Sequence, residues 1–138
     1  MPHEKFQAEV LTPEGKVFDQ EVEMISTVTA AGSIGVMAHH EPVLAMLEAA
    51  ELRLYRSDSD VVTFAQAEGY LQVAENRVLL LVEEAQPPDQ LDVAQLRERL
   101  QQAEHELESA GEDTERRRMA QRDKARWERF LSIAEGGG

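Results

Sequence analysis

The residue types in His39-His40-Glu41 are those that ligate zinc or a similar ion. Adjacent residues on a strand point to opposite faces, so both imidazoles cannot easily reach one ion. The other histidines, His3 and His105, lie far off in sequence. The spacing favours a structural or contact role, with no metal and no cofactor. Gly32-Ser33-Ile34-Gly35 resembles a fragment of a phosphate loop. It lacks the Lys and Ser/Thr that should follow, and no helix clearly begins there, so a plain turn is expected. Glu83-Glu84 has the types of an acid/base pair, but the two adjoin a strand end, alternate in direction and have no partner base. A solvated rim is the better reading. Arg116-Arg117-Arg118 with Arg122, Lys124, Arg126 and Arg129 forms a basic cluster that could meet an anion. The whole chain carries a formal net charge of −13, which disfavours nucleic acid and anionic lipid. An acidic protein surface is the better external partner for these arginines. Trp127, the single tryptophan, reads as a packing residue. No catalytic constellation emerges, and the chain is not expected to be an enzyme.

At 138 residues the chain supports one domain, or a small domain with an appendage. Cysteine is absent, so neither disulfides nor thiolate metal sites are available. No run approaches the roughly 20 apolar residues that span a bilayer, and Met1-Pro2-His3-Glu4-Lys5 holds no apolar signal region. A soluble, cytoplasmic protein is expected. Residues 1–90 hold 5 basic and 16 acidic side chains, whereas residues 114–135 hold 7 basic and 4 acidic. Residues 91–110, with 2 basic and 5 acidic, have the opposite sign to that last segment.

These side chains need elements to position them. Phe6, Ala8 and Val10 alternate with polar residues, the period of a half-buried strand. Thr12-Pro13-Glu14-Gly15 is a turn, and Val17-Phe18 and Val22–Val28 look like further strands. Residues 31–36, punctuated by glycine, read as a tight loop between strands. Pro42–Leu47 is a short apolar run. Leu52, Leu54 and Val62, Phe64 flank a hairpin at Ser57-Asp58-Ser59-Asp60, and Glu75-Asn76 is another turn. Val78–Val82 is continuously apolar, which predicts a strand buried on both faces. Strands at this spacing predict an antiparallel β-sandwich or flattened barrel over residues 1–86.

Pro87-Pro88 then breaks the pattern. Asp89 is a plausible cap for a first helix, with Asp92 in its first turn. Val93, Leu96, Leu100, Ala103, Leu107 and Ala110 recur at spacings of three and four, the seam of a narrow helix–helix contact. Gly111 is a stop, and Asp113 or Thr114 the next cap. In the second helix Met119, Ala120, Trp127, Phe130, Leu131 and Ala134 fall on one face, interrupted by Arg116 and Asp123. Residues 89–135 therefore predict an antiparallel helical hairpin, followed by a disordered tail at 136–138. The seam is built from Leu and Ala, so the contact is thin, and surface ion pairs add at most about 1 kcal/mol each. Such an arm can detach, and its two helices laid end to end would reach about 60 Å.

Gly32-Ser33-Ile34-Gly35-Val36-Met37 followed by His40-Glu41-Pro42-Val43-Leu44 resembles a signature of the epsilon subunit family of F-type ATP synthases. Glu68-Gly69-Tyr70-Leu71-Gln72-Val73 with Asn76-Arg77-Val78 is similar to a second family stretch, and Leu91-Asp92 opens the hairpin where the family does. The resemblance covers nearly the whole chain. It implies a non-catalytic rotor subunit, peripheral on the cytoplasmic face of the bacterial plasma membrane, that supports proton-driven ATP synthesis. Its sandwich would clamp the gamma subunit and rest on the ring of c subunits. Its hairpin would permit turnover when folded and, when extended into the alpha/beta catalytic head, inhibit ATP hydrolysis. By position, His40, Leu44, Ala45 and Gln72 would face gamma; Gly32, Ser33 and Ile34 would face the ring. Arg116, Arg122, Lys124, Arg126 and Arg129 would make the inhibitory contacts.

Some family members bind ATP at an [IL]-D-x-x-R-A motif. Here Gln95 and Leu96 stand in place of the Arg and Ala, and Gln86 replaces an upstream acidic residue. A glutamine supplies no fixed positive charge to phosphate, so ATP binding is expected to be absent or very weak. Ala50 and Glu68 stand where the family usually has glycine. Two other readings of the residues compete. One is a small metal-dependent barrel enzyme of cupin type using His39 and Glu41. The other is a generic adaptor whose hairpin joins a partner coiled coil.

Overall fold

The computed structural model describes residues 3–136. Met1-Pro2 of the N-terminal segment, and Gly137-Gly138 of the expected tail, lie outside the described residues. The chain divides into two compact units, Met1–Pro87 and Pro88–Gly138.

Among the described residues the first unit holds ten strands: β1 (Phe6–Thr12), β2 (Gly15–Val22), β3 (Met24–Thr29), β4 (Gly32–Met37), β5 (Val43–Leu47), β6 (Ala50–Ser57), β7 (Asp60–Gln66), β8 (Gly69–Ala74), β9 (Arg77–Val82) and β10 (Ala85–Gln86). Their hydrogen-bonded order is β10-β7-β6-β3-β5-β8-β9-β1-β2, with β4 on β3. The two halves of this path meet through a single β3–β5 residue pair, Thr29 with Leu47. Inward side chains from both halves, among them Val10, Ile25, Leu52, Leu54, Leu71 and Leu80, are fully buried together in one core. Phe18 of β2 meets Phe64 of β7 edge-on, with ring centroids 6.4 Å apart. This is the expected β-sandwich. Within it β1 pairs β9 in parallel, a contact between strands 70 residues apart at Gln7 and Arg77 that local patterning does not encode.

Two hairpins use one device. Thr12 and Thr29 each close a turn whose fourth residue is glycine, Gly15 at φ 128° and Gly32 at φ 122°, backbone that only glycine adopts readily. Thr29 Oγ1 accepts from the Ala31 N–H at 3.1 Å and donates to the Gly32 carbonyl at 2.9 Å. The structure corrects the expected loop at 31–36. The turn is Ala30-Ala31, and Gly32–Met37 is strand β4. β4 pairs only β3, and glycine is tolerated at such an edge. The run Val22–Val28 is likewise two strands, broken at Glu23, whose N–H donates to the Tyr55 carbonyl at 2.7 Å. Glu75 (φ 51°) and Asn76 (φ 60°) make the tight β8–β9 turn, both central residues left-handed as such hairpins require.

Thr27, 2% exposed on β3, has a hydroxyl with no hydrogen-bond partner. A buried unsatisfied hydroxyl is a net cost, and valine has nearly the same shape. Thr27→Val is expected to raise stability by about 1 kcal/mol. The check is a higher urea midpoint at unchanged m.

The second unit begins with a short 3-10 turn (Pro88–Gln90), followed by α1 (Val93–Ser109) and α2 (Thr114–Ala134). The Asp92 carboxylate caps α1 by accepting from the Gln95 N–H at 3.1 Å; Asp113 caps α2 by accepting from the Arg116 N–H at 3.2 Å. Gly111, at φ 58°, stands between them. All six expected seam positions of α1 are buried or half-buried. On α2 the expected face holds at Ala120, Trp127, Phe130 and Leu131, but Met119 is exposed and Ile133 is buried. Gly136 is placed, its N–H donating to the Ile133 carbonyl at 3.0 Å at the end of α2. No described helix is long and apolar enough to cross a membrane.

Candidate functional site

Strands β5, β8 and β9 lie side by side. Their register sets Leu44 opposite Gln72 and Met46 opposite Tyr70, then Gln72 opposite Leu79 and Tyr70 opposite Leu81. Strand alternation sends Leu47, Leu71 and Leu80 into the core and these residues to the outer face. Leu44 is 72% exposed, Met46 60%, Tyr70 52% and Leu81 45%. Large apolar side chains so exposed and so close together on one surface mark a contact site rather than a solvated one. Beside them Leu11, Pro13, Tyr70 and Leu81 line a shallow groove of about 320 Å³, with Glu83 at its margin.

This face corrects the expectation that Val78–Val82 is buried on both sides. β9 alternates: Val78, Leu80 and Val82 are buried, Leu79 is half-buried and Leu81 is exposed. The continuous apolar run reflects one core face and one outward apolar face.

Of the residues expected to face gamma, Leu44 and Gln72 sit directly opposite each other on the exposed surface. His40 is in the turn leading to β5, with Nδ1 2.7 Å from the Glu41 carbonyl oxygen. Ala45 is on the other side of β5, paired with buried Leu71, because alternate residues of a strand face opposite ways. Met46, Tyr70 and Leu81 were missed. Met46 was within reach of alternation, lying two residues from Leu44. In the β3–β4 hairpin Gly32 and Ser33 are exposed, whereas Ile34 packs against the core.

His39 and His40 are in a turn, not on a strand, and they diverge. The His39 ring pairs with Glu4, and its backbone N–H donates to Asn76 Oδ1 at 2.8 Å. Among the described residues no group of three or more metal-ligating side chains converges. Glu83 and Glu84 cross to the β7–β8 connection through their backbones: Glu83 N–H donates to the Glu68 carbonyl, and Glu84's carbonyl accepts from Ala67. On β1–β2, a hydrogen bond to Asp19 raises the Lys16 ammonium above its ordinary value, and the same bond holds Asp19 below the usual carboxylate range. Arg53 is raised by its hydrogen bond to Glu51.

In the hairpin, Arg116 pairs with Glu106 of α1 at 3.2 Å, and Arg122 with Asp123 at 3.5 Å. The Arg126 guanidinium lies 5.2 Å from the Trp127 ring centroid. Lys124 and Arg129 are half-buried on the same helix. Of the positions expected to depart from the family's nucleotide motif, Leu96 is buried in the α1 seam, while Gln95 is exposed and its backbone serves the Asp92 cap. Gln86 is on β10, in the other unit.

The family model for the ATP synthase delta/epsilon chain β-sandwich domain matches residues 5–88. The chain belongs to the ATP synthase epsilon-chain family. The epsilon chain of Rubrobacter xylanophilus is 37% identical over 113 residues, spanning 79% of this chain and 77% of that relative. Epsilon chain 2 of Syntrophotalea carbinolica is 39% identical over 104 residues, 75% of each. A chain in the cryo-EM structure of the Euglena gracilis mitochondrial ATP synthase (OSCP/F1/c-ring) superposes with a TM-score of 0.76 at 19% identity, covering 93% of this chain and 80% of that one. A chain from the central stalk/c-ring structure of the Tetrahymena thermophila enzyme gives 0.62 at 14% identity, covering 97% and 99%. At such identities these two likenesses establish the fold.

Proposed function

We propose that this epsilon-family chain is a non-catalytic rotor subunit of a proton-translocating ATP synthase, with its sandwich as the docking module and residues 89–135 as a regulatory arm. The observation that carries the docking role is the outward apolar face of Leu44, Met46, Tyr70 and Leu81. Its occupant is the gamma subunit, with Gln72 supplying a polar contact inside the apolar surround. The exposed end of the β3–β4 hairpin, at Gly32 and Ser33, is the part that meets the c ring. The arm acts by parting from its folded state. Arg116, Arg122, Lys124, Arg126 and Arg129 then meet acidic surface of the alpha/beta head and slow ATP hydrolysis. A thin seam supports this: three of its buried positions, Ala103, Ala110 and Ala120, are alanines, which bury little apolar area.

The test is ATP hydrolysis by a reconstituted catalytic head with gamma, given either the full-length chain or one ending at Asp89. The expected result is binding by both and inhibition by the full-length chain alone. Binding without inhibition by either would remove the arm's regulatory role and keep docking. Binding by neither would remove the rotor reading.

A further inference from the structure

We infer that Arg99 and Trp127 form the latch that sets how readily the two helices of the hairpin part. Apart from Leu96, the fully buried positions over the middle of the contact are small, Ala103 on α1 and Ala120 on α2. Trp127 is the bulkiest side chain on the facing surfaces. The Arg99 guanidinium reaches across from α1 to lie 4.8 Å from its ring centroid, and Phe130 meets the ring edge-on at 5.7 Å. Another link between the helices, Arg116 to Glu106, joins two side chains about half exposed (49% and 54%), where ion pairs are weak. Alongside the ring runs an open groove of about 330 Å³, lined by Arg99, Gln102, Ala103, Glu106, Asp123 and Trp127. Water in that groove reaches the ring once Arg99 withdraws. The planar guanidinium keeps its charge under all physiological conditions and stacks on an aromatic face as an amide or ammonium does not. The latch therefore needs no ligand. A guanidinium over an aromatic ring at sites of this exposure shifts an equilibrium roughly two- to fivefold.

The inference deepens the reading of the hairpin as an arm that opens. It is tested separately on the full-length chain alone, by native-state hydrogen exchange and by emission of the single tryptophan. Arg99→Gln is expected to speed exchange of the central α2 amides roughly two- to fivefold and to shift Trp127 emission to the red. Arg97→Gln removes the same charge from an exposed position of α1 and should leave both readouts at the wild-type value. Three results would overturn the latch: Arg99→Gln indistinguishable from wild type, Arg97→Gln matching Arg99→Gln, or equal acceleration of the sandwich amides. If Arg99→Gln loosens the hairpin but leaves hydrolysis by the catalytic head unchanged, the latch stands and the regulatory reading falls.

Discussion

Gly69→Ala is expected to cost most of the stability of the sandwich, roughly 4 kcal/mol or more, the range reached only when a substitution forces the backbone apart. A Cβ built on Gly69 would lie 1.9 Å from the Leu81 carbonyl oxygen and 2.8 Å from Val82 Cα. Ordinary carbon–oxygen contacts begin near about 3.3 Å. The obstruction is backbone, so no side-chain rotation relieves it. Gly69 is held from both sides, opposite Val82 of β9 and Leu47 of β5, and widening either gap breaks ladder hydrogen bonds. A domain of this size has only about 5–15 kcal/mol to lose. Urea unfolding followed by far-UV circular dichroism reads the loss. Gly35→Ala is the control, because nothing lies within 4 Å of its Cβ position. It should change stability by less than about 1 kcal/mol. Equal stability of the two variants would disprove the close β8–β9 approach. That approach also has a functional side, since it sets Tyr70 beside Leu81 on the outer face.

The need for glycine at 69 was not legible in the sequence, because the clashing carbonyl belongs to a strand twelve residues further on and its distance is a tertiary fact. What was legible is local. The alternation of Phe6, Ala8 and Val10, the turn residues at Ser57–Asp60 and Glu75-Asn76, and the 3–4 spacing from Val93 to Ala110 each place an element that the structure contains. The failures share one cause. β4 was read as loop because two glycines in six residues argue against a strand, yet pairing with β3 over its whole length decides the outcome. The β1–β9 parallel pair depends on the path of the whole chain. On α2, Met119 suited the apolar stripe and is exposed, while Ile133 lies off that stripe and is buried. Helical period fixes which residues share a face, but not how wide the buried sector is near a helix end. The site was half legible. Alternation put Leu44 and Met46 on one side of β5, but the adjacency of Tyr70 and Leu81 needed the register of three strands. Their exposure needed knowledge that the outer face of β9 is uncovered.

Leu44→Asp is expected to weaken binding of gamma by about a hundredfold or more, equivalent to roughly 3 kcal/mol. In the free chain Leu44 is 72% exposed, so an aspartate there is solvated and the fold should change by less than about 0.5 kcal/mol. In the complex the same carboxylate is pressed against apolar surface, next to Met46 and across from Gln72. Gln72 can offer its amide N–H groups, which soften the penalty without cancelling a buried charge. Position within the contact also matters, because residues near the centre of an interface carry most of its energy. Leu44 is the most exposed of the large apolar residues. Val61→Asp tests whether net charge alone is responsible. Val61 is 39% exposed on β7, outside the β5-β8-β9 face, and carries the same change in charge. Titration calorimetry of each variant against purified gamma separates the cases. A large loss for Leu44→Asp with Val61→Asp near wild type supports the face as the gamma contact. Wild-type affinity for Leu44→Asp would move the contact elsewhere on the sandwich, and equal losses for both variants would make the effect one of long-range charge on an already acidic chain.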